Sequence, residues 1–156
     1  MIVLALGSNL GDREAYLARA LTLLEQAGLH ITAQSSLHQT PALLLEGAPA
    51  EWNIPFLNQV VLAESASHTP HSLLALLKQT EQALGRTDRG RWSPREIDID
   101  LIAFHDVVLD DALLTLPHAQ MHARHFVLAP LVEIAPHWLH PRLGKTASQL
   151  LAELPS

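Results

Sequence analysis

Apolar residues recur along the chain with two different periods. Ile2 to Leu6 form an unbroken apolar run that stops at Gly7, the pattern of a buried strand. Gly7-Ser8-Asn9 then reads as a tight turn, with Ser8 or Asn9 lending backbone-like hydrogen bonds. Asp12 stands where a helix cap belongs, and Tyr16, Leu17, Ala20, Leu21 and Leu24 repeat at three and four, predicting a helix that ends at Gly28. A second extended segment is predicted over 31–38, a proline-containing loop over 40–55, and a third strand over 56–63. Such a long loop in a compact domain is usually a functional one.

Thr69-Pro70 is the pairing of a cap with a first helical residue, and Leu73, Leu74, Leu77, Thr80, Glu81 and Leu84 carry that helix to Gly85. Ile97 to Phe104 is rich in β-branched residues and predicts a fourth strand. A loop over 106–111, the segment Thr115-Leu116-Pro117-His118, a helix over 126–134 and an amphipathic stretch over 146–154 complete the chain. The order β-α-β-β-α-β predicts an α+β sandwich with antiparallel strands.

Composition narrows the class. With 156 residues, 48% hydrophobic and 17% charged, the chain is expected to form a single packed domain over 1–156. A net charge of −6 argues against coating nucleic acid or an anionic membrane by electrostatics. Four of the eight arginines (Arg86, Arg89, Arg91, Arg95) nevertheless fall within ten residues, which is either a solvated charge run or, as expected in an acidic chain that concentrates its arginines, positive charge required at that place. Cysteine is absent, which excludes disulfides and thiolate chemistry. The start lacks a basic leader, and no apolar run approaches the ~18 residues of a membrane helix. The expectation is a cytoplasmic protein with no membrane or nucleic-acid partner and no obligate protein partner.

The candidate chemistry lies in Arg91-Trp92-Ser93-Pro94-Arg95-Glu96-Ile97-Asp98-Ile99-Asp100. Residues two apart on a strand share a face, so Asp98 and Asp100 point one way while Ile97, Ile99 and Leu101 point into the core. Their carboxylates are then roughly 6–7 Å apart. Two like charges side by side are unfavourable without a cation, and paired hard oxygens are what Mg²⁺ uses when phosphates complete its shell. Arginine grips phosphate bidentately and keeps its proton, so a run of arginines before the pair suits a polyphosphate–metal complex. Gly7-Ser8-Asn9-Leu10-Gly11 lacks the Gly-Lys-Ser/Thr ending of a P-loop.

Four ordered blocks carry a resemblance: Ala5-Leu6-Gly7-Ser8-Asn9-Leu10-Gly11-Asp12; Thr40-Pro41 with Phe56-Leu57-Asn58; Gly85-Arg86 with the 91–100 stretch; and Leu116-Pro117-His118 with Arg124-His125-Phe126-Val127-Leu128-Ala129-Pro130-Leu131. Over nearly its whole length the chain resembles the 6-hydroxymethyl-7,8-dihydropterin pyrophosphokinases of folate biosynthesis. The resemblance implies a ferredoxin-like α+β fold, a mainly antiparallel sheet with helices packed on it. It implies transfer of the β,γ-diphosphate of ATP to the pterin hydroxymethyl group, with AMP released. Asp98 and Asp100 would hold two Mg²⁺ ions, and with Arg86 and Arg95 they would form the catalytic set.

The same resemblance places Glu81, Arg89, Arg91, Trp92, Arg95 and position 101 (Leu101) at the nucleotide, together with Thr115, His118 and Arg124. Asn58 would hydrogen-bond the pterin edge, Thr40 and Leu43 would add backbone contacts, and Phe56, Trp92 and Phe126 would line the flat ring. Aromatic residues are only 4% of the chain, and stacking is what a planar heterocycle needs. The chain departs from the family pattern at Ser93 (usually glycine or alanine), at Asp88 (commonly arginine, here with Arg89 next to it), and at Lys78, Leu113 and Ala119. Those departures bear on nucleotide affinity more than on reaction type.

Two rival readings remain. His118, His122 and His125 are spaced so that on a helix they could share a face and bind zinc, as in a metal-dependent hydrolase. Alternatively the chain is a non-catalytic homologue that binds nucleotide and pterin without turnover.

Overall fold

The computed structural model describes residues 1–9, 11–41, 47, 50, 54–85 and 97–155. Strand β1 (Ile2–Ser8) runs into helix α1 (Arg13–Gln26), and β2 (His30–Gln34) and the short β3 (His38–Thr40) follow. Then come β4 (Phe56–Glu64), α2 (Pro70–Ala83) and β5 (Asp98–Phe104). A two-residue ladder of β6 (Leu109–Asp110) with β7 (Thr115–Leu116), a 3-10 turn at Met121–Ala123, α3 (His125–Ile134) and α4 (Ala147–Ala152) complete the order.

The main sheet has the order β2-β4-β1-β5, with β3 also on β4, and every pairing is antiparallel. This is the α+β ferredoxin-like sandwich, the α1 and α2 connections bringing β1 and β4 side by side at its centre. Central position explains their composition, since both faces of β1 and β4 are covered and both read as nearly continuous apolar runs.

Alternation sorts side chains to two cores. Ile2, Leu4 and Leu6 of β1 and Ile99 and Leu101 of β5 meet Leu17, Leu24, Leu73 and Leu77 from α1 and α2. Val3, Val60, Leu62 and Ile102 face the opposite way, against Val127, Leu128 and Leu131 of α3 and Leu150 of α4. Each fully buried leucine here contributes about 1.5–3 kcal/mol relative to exposure. A register shift opposite Val3/Leu4 makes Ile102 an extra residue in β5, so the alternation holds from Ile97 to Ile102 and is reversed at Ala103 and Phe104.

The caps form as the residue types require. The Asp12 side chain accepts from the Ala15 N–H at the start of α1, and Thr69 and Ser72 close a reciprocal capping box on α2.

Three expectations change. Gly7 does not turn the chain, because β1 continues through Ser8; the turn comes later, with Gly11 at φ +69°. The segment expected as one strand over 31–38 is two, because Ser35 interrupts it: its Oγ accepts from the Val60 N–H at 3.0 Å, where a backbone carbonyl would otherwise stand. The helix expected from 126 begins at His125.

Candidate active site

Four cross-strand neighbours form a row on the α3 face of the sheet. Asp98 pairs with Gly7, Gly7 with Asn58, and Asn58 with His38. Directly opposed residues share a face, and strands lie about 4.8 Å apart, so Asp98 and Asn58 stand about 10 Å from each other across Gly7. Gly7 has no side chain to fill that interval. A Cβ built there would lie 3.1 Å from Asn58 Oδ1 and 3.6 Å from the Phe56 ring. The glycine expected to turn the chain therefore opens a slot over backbone, the other reason for glycine within a strand.

Beyond Asp98, Asp100 projects to the same face, opposite the small Ala5. Both aspartates are half-buried and border a cleft of about 600 Å³. The cleft also takes in Lys78, Glu81, Leu113, Thr115, His118 and Arg124. A carboxylate pair on one face, with alanine and glycine opposite, is a donor set with room for hard cations whose other ligands are phosphate or water oxygens. Among the described residues no group of three or more His, Cys, Asp or Glu is placed to hold a metal ion.

Glu81 serves the strand as well as the cleft. It is 5% exposed on α2, and its Oε2 accepts the Ile99 N–H at 2.7 Å, at the residue between the two aspartates. The bond fixes the stretch of β5 that displays them. The opposite end of that edge is covered by the segment after the cis Leu116-Pro117 bond, where the His118 N–H donates to the Ile102 carbonyl at 2.8 Å.

Burial, and then the nearby Arg124 charge, hold the His118 pKa below the ordinary histidine value. Its ring is thus neutral at pH 7, and Nδ1 accepts from the Gln120 N–H at 3.2 Å, which puts the proton on Nε2 as a donor. Arg124 donates to Gln120 Oε1 at 2.7 Å and lies 5.5 Å from the centre of the Phe126 ring. Leu101 borders the cleft with its side chain packed in the core.

On the other side of Gly7, Asn58 is 6% exposed. Its Nδ2 donates to Thr40 Oγ1 at 2.8 Å and to the His38 carbonyl at 3.4 Å. Thr40 is opposite Phe56 on β4. Asn58, Thr40, Phe56 and Phe126 do not line the 600 Å³ cleft. They belong to the neighbouring part of the same sheet face. Arg86, Arg89, Arg91, Trp92 and Arg95, together with Leu43, Asp88 and Ser93, lie outside the described residues.

The three histidines of the zinc reading do not share a helical face. His118 follows the cis proline, His122 is in the 3-10 turn and His125 opens α3. Sequence reasoning missed the slot at Gly7, for which a glycine inside an otherwise continuous apolar run was the available signal. It also missed the bond from Glu81 to β5.

An α+β sandwich that displays a carboxylate pair beside a polar cleft defines a candidate metal- and anion-binding protein. The comparisons with known proteins narrow this: residues 3–136 match the model of the 7,8-dihydro-6-hydroxymethylpterin-pyrophosphokinase family, and the chain belongs to that family. It is 38% identical over 152 residues to a 2-amino-4-hydroxy-6-hydroxymethyldihydropteridine pyrophosphokinase of Aquifex aeolicus, covering 97% of this chain and 91% of that one.

It is also 40% identical over 133 residues to a mitochondrial folate synthesis bifunctional protein of Pisum sativum, covering 85% of this chain and 25% of that one. The chain thus spans about a quarter of the pea protein, and 36% of a folate synthesis bifunctional protein of Chlamydia trachomatis. A crystal structure of Plasmodium falciparum HPPK-DHPS superposes with a TM-score of 0.72 at 17% identity, covering 97% of this chain and 44% of that one, and supports the fold. Among the described residues no helix is long and apolar enough to cross a membrane.

Proposed function

We propose that residues 1–156 act as one cytoplasmic pyrophosphokinase domain that transfers the β,γ-diphosphate of ATP to the hydroxymethyl group of 6-hydroxymethyl-7,8-dihydropterin. The observation that carries this reading is the row Asp98–Gly7–Asn58, a carboxylate and a buried amide facing the same way across a gap with no side chain. About 10 Å suits a pterin bound at Asn58 whose hydroxymethyl group reaches phosphates held at Asp98 and Asp100. The reading also rests on family membership.

In this reading Asp98 and Asp100 would hold two Mg²⁺ ions. Bound there, Mg²⁺ supplies positive charge to the polyphosphate and lowers the pKa of a hydroxyl it touches. The chain's own groups do the positioning. Asn58, oriented by Thr40, offers its amide to the pterin edge, and Phe56 and Phe126 give apolar faces to the ring. His118 and Arg124 donate to phosphate or ribose oxygens, and Glu81 keeps Asp98 and Asp100 in register through Ile99. Arg86 and Arg95 are proposed to stabilise charge on the transferring phosphates, and Arg89, Arg91 and Trp92 to bind the nucleotide. The hydroxymethyl oxygen bonds to the β-phosphorus as the α–β bridging bond breaks, so AMP leaves and the hydroxyl proton is released.

The test mixes protein, ATP, Mg²⁺ and the reduced hydroxymethylpterin and measures AMP. Pterin-dependent AMP is the expected product. Folded protein that binds both ligands and releases none would instead be a non-catalytic homologue.

A further inference from the structure

Outside the cleft, two histidine–carboxylate clusters fasten separate parts of the site to helices. Neither has a place in the mechanism above. In the first, Glu133 near the end of α3 accepts from the Ser36 N–H at 3.2 Å and from the Ser36 hydroxyl at 2.8 and 2.7 Å. His38 Nε2 is 2.9 Å from the same carboxylate. His38 is the last residue of the Asp98–Gly7–Asn58 row, and its carbonyl accepts from Asn58 Nδ2. The cluster therefore joins the strand carrying Thr40 and flanking Asn58 to the helix carrying Phe126.

In the second cluster, His71 in the first turn of α2 is 2.7 Å from Asp111 Oδ2. The other oxygen of Asp111 accepts from the N–H groups of Leu113 and Leu114, both at 2.9 Å. This pair ties the loop that ends at Thr115, a wall of the 600 Å³ cleft, to the helix carrying Lys78 and Glu81. His38 and then Ser36 hold the Glu133 carboxyl below its ordinary pKa, and the Leu113 N–H, followed by the Leu114 N–H and His71, does the same for Asp111.

We propose that the two clips are independent positioning devices: Ser36/His38–Glu133 sets the pterin wall, and His71–Asp111 sets the nucleotide wall. The inference deepens the function proposed above and rests on it. The first clip holds β3, which carries Thr40 and flanks Asn58, and the second holds the 111–115 loop at the cleft, so each acts most directly on one wall. Sites without shared partners act additively, so damage to one wall should not reach the other.

The test is a crossed kinetic comparison on the full chain. Glu133→Ala is expected to raise the pterin KM about tenfold and leave the ATP KM within about twofold, the effect of one or two lost hydrogen bonds. Asp111→Ala is expected to do the reverse. Glu133→Gln and Asp111→Asn keep an acceptor oxygen and are expected to recover most of each loss. His38→Ala and His71→Ala give the same crossed pattern if an alanine at 133 or 111 prevents folding.

Equal rises in both KM values, a fall in kcat alone, or no change in either KM overturns the clips while leaving the pyrophosphokinase reading intact. A wild-type chain that forms no pterin-dependent AMP removes both.

Discussion

Replacing Gly7 with alanine tests the slot directly. The new methyl would stand in the row between Asp98 and Asn58, 3.1 Å from Asn58 Oδ1, closer than nine in ten real Cβ contacts allow. Gly7 is not among the glycines with positive φ, so alanine meets no backbone strain there. Restricting the unfolded chain contributes about 0.4–1 kcal/mol to stability. Displacing the Asn58 amide from Thr40 costs about 0.5–1.5 kcal/mol. The two effects oppose each other, and Tm is expected to change little.

Ligand binding has no such offset. A ring lying over the Gly7 backbone is lifted by the methyl, and the amide that should meet its edge has moved. Losing one hydrogen bond (about 0.5–1.5 kcal/mol) and a comparable amount of aromatic contact gives about 1–3 kcal/mol, or roughly a 5- to 150-fold rise in pterin KM. The ATP KM should stay within about twofold, because the nucleotide cleft lies beyond Asp98. Initial rates of AMP release at varied pterin and varied ATP measure both. A pterin KM unchanged in a folded Gly7→Ala protein, or an ATP KM that rises equally, would refute the slot.

Asp98→Asn and Asp100→Asn are each expected to lower turnover by about two orders of magnitude or more at unchanged Tm, read from AMP release and thermal unfolding. Near-wild-type rates in either would contradict the metal assignment. Glu81→Leu leaves the buried Ile99 N–H without its acceptor and is expected to cost about 1–3 kcal/mol by denaturant unfolding, with Glu81→Gln costing less. His140 is 3% exposed, and its Nδ1 accepts from the Arg142 and Leu143 N–H groups. Burial first, then the charges of His122 and Arg142, hold its pKa below the ordinary value.

Its stabilising contribution is therefore complete above the unfolded histidine value of about 6.5 and is lost as pH falls below it, by at most about 1.4 kcal/mol per pH unit. His140→Asn keeps an acceptor that does not titrate, so stability measured from pH 7.5 to 5.5 should fall less steeply than in wild type. An identical slope would remove His140 from the account.

What could be read from the sequence divides by the range of the interaction responsible. Caps and face alternation depend on residues within a turn or two, and Asp12, Thr69 and the Ile97–Leu101 alternation appear as their residue types require. Gly7 reads as a stop in the sequence because a glycine after an apolar run looks the same whether it turns the chain or thins a strand. Only the register against Asn58 and Asp98 separates the two, and those partners lie far away in sequence.

Ser35 ended β2 early for the same reason, since the Val60 N–H that its hydroxyl meets belongs to another strand. The clips are less legible still: Ser36 and Glu133 are 97 residues apart, and His71 and Asp111 are 40 apart, so no local pattern links them. The histidines show the opposite error. Their spacing of four and three fits a helix face, but His122 sits in a 3-10 turn and only His125 enters α3. A spacing argument holds only if one element spans it. Asp98 and Asp100 meet that condition on β5, and this is why their shared face could be read in advance while the slot beside them could not.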